Sequence, residues 1–149
     1  MSPRFSLQNV LEFRHQKVEL LEVELGKLMA ARQDAELHLA ALQEFHRGLL
    51  EQLGLAQSGE IDLVRMNLLR LNIAQVIGYI EKVTLELKQL ARDIEAKRAQ
   101  LVSAKQSEET LEILKRRRFE LYAAEELQVE SRAQDDIYIA QAFRKQQGV

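Results

Sequence analysis

The sequence predicts an all-α fold: a long antiparallel coiled-coil hairpin of two helices, the second overhanging the first. Three observations lead there. Two apolar seams run at coiled-coil spacing. The composition is poor in helix breakers. One short glycine-containing stretch separates the seams. The first seam alternates steps of four and three from Leu7 through Leu11, Arg14, Val18, Leu21, Leu25, Leu28, Arg32, Ala35, Leu39, Leu42, His46 and Leu49 to Leu53. Eleven of these fourteen positions are apolar. The second runs from Met66 through Leu69, Ile73, Val76, Ile80, Val83, Leu87, Leu90, Ile94, Lys97, Leu101, Ala104 and Glu108 to Leu111. A 3.5-residue repeat keeps one narrow stripe facing a partner helix and implies a left-handed supercoil.

The 149 residues include one proline, six glycines and no cysteine, with 30% charged residues. That composition suits long helices in one coiled-coil domain spanning 1–149. With no cysteine there is neither a disulfide framework nor thiol chemistry. No apolar run approaches a membrane span, and MSPRFSLQNV lacks a signal-peptide core, so a cytoplasmic protein is expected. The net charge of -2 is uneven. Residues 1–64 carry six Lys/Arg and ten Asp/Glu; 65–118 carry twelve and seven; 119–149 carry three and six. The basic middle lacks interleaved aromatics, so nucleic-acid binding is not expected.

Helix one is expected over about 6–53. Ser6 is placed to cap it, with Phe5 and Val10 spaced as a hydrophobic staple. Ser2-Pro3 is a competing start, since proline fits a first helical turn. Gly54 to Gly59 should form the turn. Helix two is expected over about 60–145, with Ser58 as cap and Glu60 and Asp62 in its first turn, where the helix dipole favours negative charge. Folding about residue 57 pairs position i with roughly 114 minus i. Helix one then covers helix two to about residue 107, and residues near 25 lie beside residues near 89. Beyond that a sparser apolar set, including Leu114, Leu121, Leu127, Ile137, Ile139 and Phe143, reads as a binding end.

No glycine-rich phosphate loop, nucleophile–base pair or carboxylate dyad appears, so no catalytic residue and no cofactor are expected. His38 and His46 are eight residues apart, about 12 Å along a helix, too far to share a metal. His46, Arg14 and Arg32 read instead as polar interruptions that set register. Lys115-Arg116-Arg117-Arg118 is either a solvated face or a docking site for an acidic surface. Phe45 and Tyr79 each precede a seam residue, where an aromatic either packs on the flank or anchors a partner.

Three stretches make the chain resemble the FliJ family of the bacterial flagellar type III export apparatus. They are the opening Phe5-Ser-Leu7-Gln-Asn-Val10-Leu11-Glu-Phe-Arg14, the segment Leu111-Glu-Ile-Leu114-Lys-Arg-Arg117-Arg118, and Asp135-Asp136-Ile137. The pattern departs around Asn72 and Tyr79, and again at Tyr138. The resemblance implies a non-enzymatic two-helix stalk, similar to that of the rotary ATPase gamma subunit. Such a stalk inserts into the hexameric export ATPase ring, contacts the membrane export gate, and engages substrate chaperones. Carried over by position, the gate face falls on Leu42, Phe45 and Leu49 in helix one and on Val76, Tyr79 and Val83 in helix two. The ring contact falls on Arg116, Arg117 and Arg118. Association with the membrane would then be peripheral, through the apparatus. A virulence-type secretion stalk and a self-associating scaffold are the alternative readings.

Overall fold

The structure, a computed structural model, describes residues 4–148. It is the expected helical hairpin, built from α1 (Gln8–Ala56) and α2 (Leu63–Gln147). The competing start at Ser2-Pro3 lies outside the described residues. The seams hold the core. All twelve buried apolar residues among those described fall on them, from Leu11 to Leu49 in α1 and from Met66 to Leu111 in α2.

Contacts divide the chain into two compact units. The turn unit, Glu19–Val102, contains the connection and most of the core. Ile94, at 1% exposed, is its most enclosed side chain. Near the turn, Leu49, Leu69 and Val76 form a buried cluster supported by Leu53, Ala56, Ile73 and Ile80. The end unit, Met1–Val18 with Ser103–Val149, buries Leu11, Val18, Ala104 and Leu111.

Helix pairing differs from expectation. Within the turn unit, Lys97 Nζ lies 2.8 Å from Glu24 Oε2. Within the end unit, Arg14 donates to the Ser107 carbonyl at 3.0 Å, and His15 Nδ1 meets Glu108 Oε1 at 2.6 Å. These contacts pair position i with 121 to 123 minus i rather than 114 minus i. The shift is about one heptad, which leaves every apolar layer matched. Residues near 25 therefore lie beside residues near 97, and the paired region reaches Leu111 rather than stopping at 107.

The connection explains part of the shift. α1 passes through Gly54 to Ala56, because Leu53 and Ala56 both pack against the turn cluster. The chain reverses over residues 57–62 instead of 54–59. Gly59 alone among the described residues has a positive φ, +85°, a conformation L side chains rarely adopt. Ser58 does not cap α2. Its hydroxyl donates to the Leu55 carbonyl at 2.9 Å and closes the end of α1. Asp62 is the cap: its Oδ1 accepts from the Val64 and Arg65 amides at 3.1 and 3.3 Å. Glu60 precedes the helix and so is not in its first turn. At the other end of α1 the Gln8 amide bonds the Phe5 carbonyl at 3.1 Å, so a backbone turn leads in from Phe5 and the helix begins two residues after Ser6.

Candidate functional site: two exposed surfaces on a helical hairpin

The first surface lies in the turn unit. Phe45 immediately precedes His46, and Tyr79 immediately precedes Ile80, so each stands beside the seam. Antiparallel pairing puts the two on one edge of the interface, at nearly the same level. Phe45 is 57% exposed and Tyr79 47%. An open groove of about 450 Å³ adjoins Phe45, lined by Ala41, Glu44, Phe45, Gly48, Leu49 and Gln52. Gly48 presents no side chain there, and nothing lies within 4 Å of where a Cβ would stand. The Tyr79 hydroxyl accepts from Gln75 Nε2 at 3.0 Å.

The other four carried-over positions point inward. Leu49, Val76 and Val83 are buried, and Leu42 is half-buried. Of these, Leu49 lines the groove beside Phe45, and Leu49 and Val76 belong to the buried cluster near the turn. Arg47 bonds both Glu44, which lines the groove, and Glu51. The Arg47 guanidinium, by hydrogen bond first and charge second, holds the Glu44 carboxyl below its ordinary range.

Sequence reasoning missed one feature of this unit. Leu55, Ile61, Leu63, Val64, Leu68 and Leu71 cluster around the turn and are all more than half exposed. They are apolar residues off the seam, in and near the connection, with no period that marks them as one surface.

The second surface lies in the end unit. After Leu111 the helix continues to Gln147, and every described residue from 123 to 148 is exposed. Arg116, Arg117 and Arg118 are exposed, Lys115 is half-buried, and none has an ion-pair partner among the described residues. Tyr122 hydrogen-bonds Glu126, which raises the phenol above its ordinary pKa.

The seam interruptions separate into two kinds. Arg14, Lys97 and Glu108 each bond across the hairpin. Arg32 reaches only Glu36 on its own helix, at 3.9 Å. His46 is half-buried, with Nε2 lacking a hydrogen-bond partner among the described residues. His38 is exposed and lines a different groove with Asp34 and Glu86. Among the described residues no group of three or more His, Asp or Glu could hold a metal, and no helix is long and apolar enough to cross a membrane.

A family model described as Flagellar FliJ protein matches residues 3–147. The chain belongs to the FliJ family. Comparison with curated proteins and with solved structures gives no match. Membership in the FliJ family implies a flagellar export-related role of the stalk or chaperone kind, in a family of non-enzymatic export components.

Proposed function

We propose that this chain is the non-enzymatic stalk of a flagellar type III export apparatus, joining the export ATPase ring to the membrane export gate. The observation that carries the reading is the separation of its exposed surfaces into two units. An aromatic edge lies in the turn unit, and a basic, unpaired helix lies in the end unit. Phe45 and Tyr79, with Leu42, Leu49, Val76 and Val83, are the gate contact. The apolar cluster around the turn extends that contact. Arg116, Arg117 and Arg118 meet acidic groups of the ring. Catalysis belongs to the ATPase, and the chain works in the cytoplasm, held at the membrane only through the apparatus. Substrate chaperones are further partners. The flagellar name of the matching family supports this reading over a virulence-type stalk.

The test uses two variants of the full chain. Interface energy concentrates in a few aromatic or large apolar groups, and loss of one commonly costs about 2 kcal/mol or more. Phe45→Ala should keep helicity and melting temperature near wild type while weakening gate binding about thirtyfold. ATPase binding should survive in it. Reversing Arg116, Arg117 and Arg118 together should weaken ATPase binding and flatten its salt dependence, because exposed charges act through screened attraction. Intact gate affinity in Phe45→Ala, or unchanged salt dependence in the triple variant, removes that surface from the function.

A further inference from the structure

The coiled-coil seam does not stop where α1 stops covering it. Continued with the same alternation of four and three, it passes from Leu111 to Lys115, Arg118, Tyr122, Glu125, Val129, Arg132, Asp136, Ile139 and Phe143. From Arg118 onward these positions are exposed except Tyr122, which is half-buried, and the helix is unbroken beneath them. A shallow groove lined by Tyr122, Glu125, Glu126, Val129 and Glu130 follows the same stripe. The stripe therefore has the spacing of one half of a two-stranded interface, and among the described residues no helix lies along it beyond Tyr122.

Its charges select the partner. Antiparallel coiled coils stack a position of one type against the other type in each layer. Laid antiparallel against itself about residue 127, the stripe places Arg118 opposite Asp136, Tyr122 opposite Arg132, Glu125 opposite Val129 and Lys115 opposite Ile139. Each contact occurs twice, because in a two-fold interface residue i meets j and j meets i. The Arg118–Asp136 layers are opposite charges. The next layers set a guanidinium against an aromatic ring, a favourable cation–π arrangement. A parallel pair would instead place Arg118 on Arg118, Glu125 on Glu125 and Asp136 on Asp136, like charges at every polar layer. The overlap from Lys115 to Ile139 is about 36 Å of helix. It begins just past the level where Gln8 starts α1, so the first helix does not obstruct it.

We propose that the exposed stretch of α2 pairs antiparallel with the same stretch of a second copy, in a reversible homodimer fixed by Arg118–Asp136 contacts between chains. This goes beyond the export reading and does not depend on it. The dimer occupies Arg118, so self-association and any engagement of the basic run by another protein are mutually exclusive states of the extension.

Sedimentation equilibrium of the full chain tests the idea. Wild type should show a concentration-dependent monomer–dimer equilibrium. R118E alone should place like charges at two symmetric layers, as should D136R alone. Each should raise the dimer dissociation constant about tenfold or more. Because all these side chains are exposed, helicity by circular dichroism should not change. The double exchange R118E/D136R within one chain should restore dimerisation towards wild type. That rescue belongs to antiparallel pairing alone, since a parallel dimer keeps like charges together in the double variant. Residues 118 and 136 are about 27 Å apart on one helix and cannot rescue each other within a chain. A wild-type chain that stays monomeric from micromolar to millimolar concentration overturns the proposal. So does a double variant no better than the singles.

Discussion

Two stretches of the same helix carry the same heptad spacing and behave differently. From Met66 to Leu111 the stripe of α2 is mostly Leu, Ile and Val, and α1 covers it. From Lys115 to Phe143 it is mostly charged, and among the described residues it is exposed apart from the half-buried Lys115 and Tyr122. Both are helical without interruption. The spacing therefore sets which side of the helix is an interface, and the residues on the stripe set which partner it accepts. An apolar stripe accepts any apolar stripe in any whole-heptad register. A charged stripe accepts only one whose charges oppose its own.

The sharpest way to break this comparison is to empty one position in each stretch. Ile94→Ala removes the most enclosed side chain and should cost about 3 kcal/mol in urea unfolding monitored by circular dichroism, since the gap in a packed core relaxes only partly. Leu127→Ala, at a position 66% exposed, should leave the unfolding midpoint unchanged. Equal losses would mean that the extension is packed and the division false.

A smaller effect tests what fixes the pairing. Lys97→Glu would oppose Glu24 across the hairpin and should cost about 1 kcal/mol, measured by the same unfolding. Glu24→Lys combined with it should recover most of the loss. No recovery would place Lys97 outside the register-setting group.

The smallest effect lies within one helix. Glu44 is fully exposed, and its carboxyl pKa is lowered by the Arg47 hydrogen bond and charge. A lowered carboxyl contributes stability above its unfolded pKa and loses it as pH falls through the folded one. Any change is confined to acid pH, below the ordinary carboxylate range. NMR titration should show Glu44 returning to an ordinary carboxyl in Arg47→Gln, with almost no change in melting temperature near neutral pH.

These magnitudes also explain what was legible in the sequence. The seams were fully legible, because a two-residue-type stripe at 3.5 spacing survives any local detail. The register was not, because a slip of seven preserves every apolar layer. Only the polar interruptions distinguish the two registers: pairing to 114 minus i sets Lys97 against Lys17, whereas the observed pairing sets it against Glu24. Gly54 read as a turn residue because its propensity was weighed without the packing of Leu53 and Ala56 that holds the helix through it. Asp62 was visible as an acidic residue near the start of α2. That it rather than Ser58 caps the helix followed from where the chain reverses. The place of Phe45 and Tyr79 beside the seam was legible, but their exposure was not, because an aromatic there can pack on the flank or stand free. The apolar cluster at the turn was not, because it follows no period.

The hairpin connection also dictates an order of assembly. Contacts near the turn join residues close in sequence, whereas Glu24 and Lys97 are 73 residues apart and Arg14 and Ser107 are 93 apart. Closing the loop at Gly59 incurs its entropy once, and each further heptad then adds to an end already held. Such a chain zips from the turn outward, with little barrier after the first layers meet. Unzipping runs the other way, so amide protection should fall steadily from the Leu49 cluster towards Leu11 and Leu111. Pulling on the two free ends would peel the helices apart one heptad at a time, while a load applied along both helices together would meet all the layers at once.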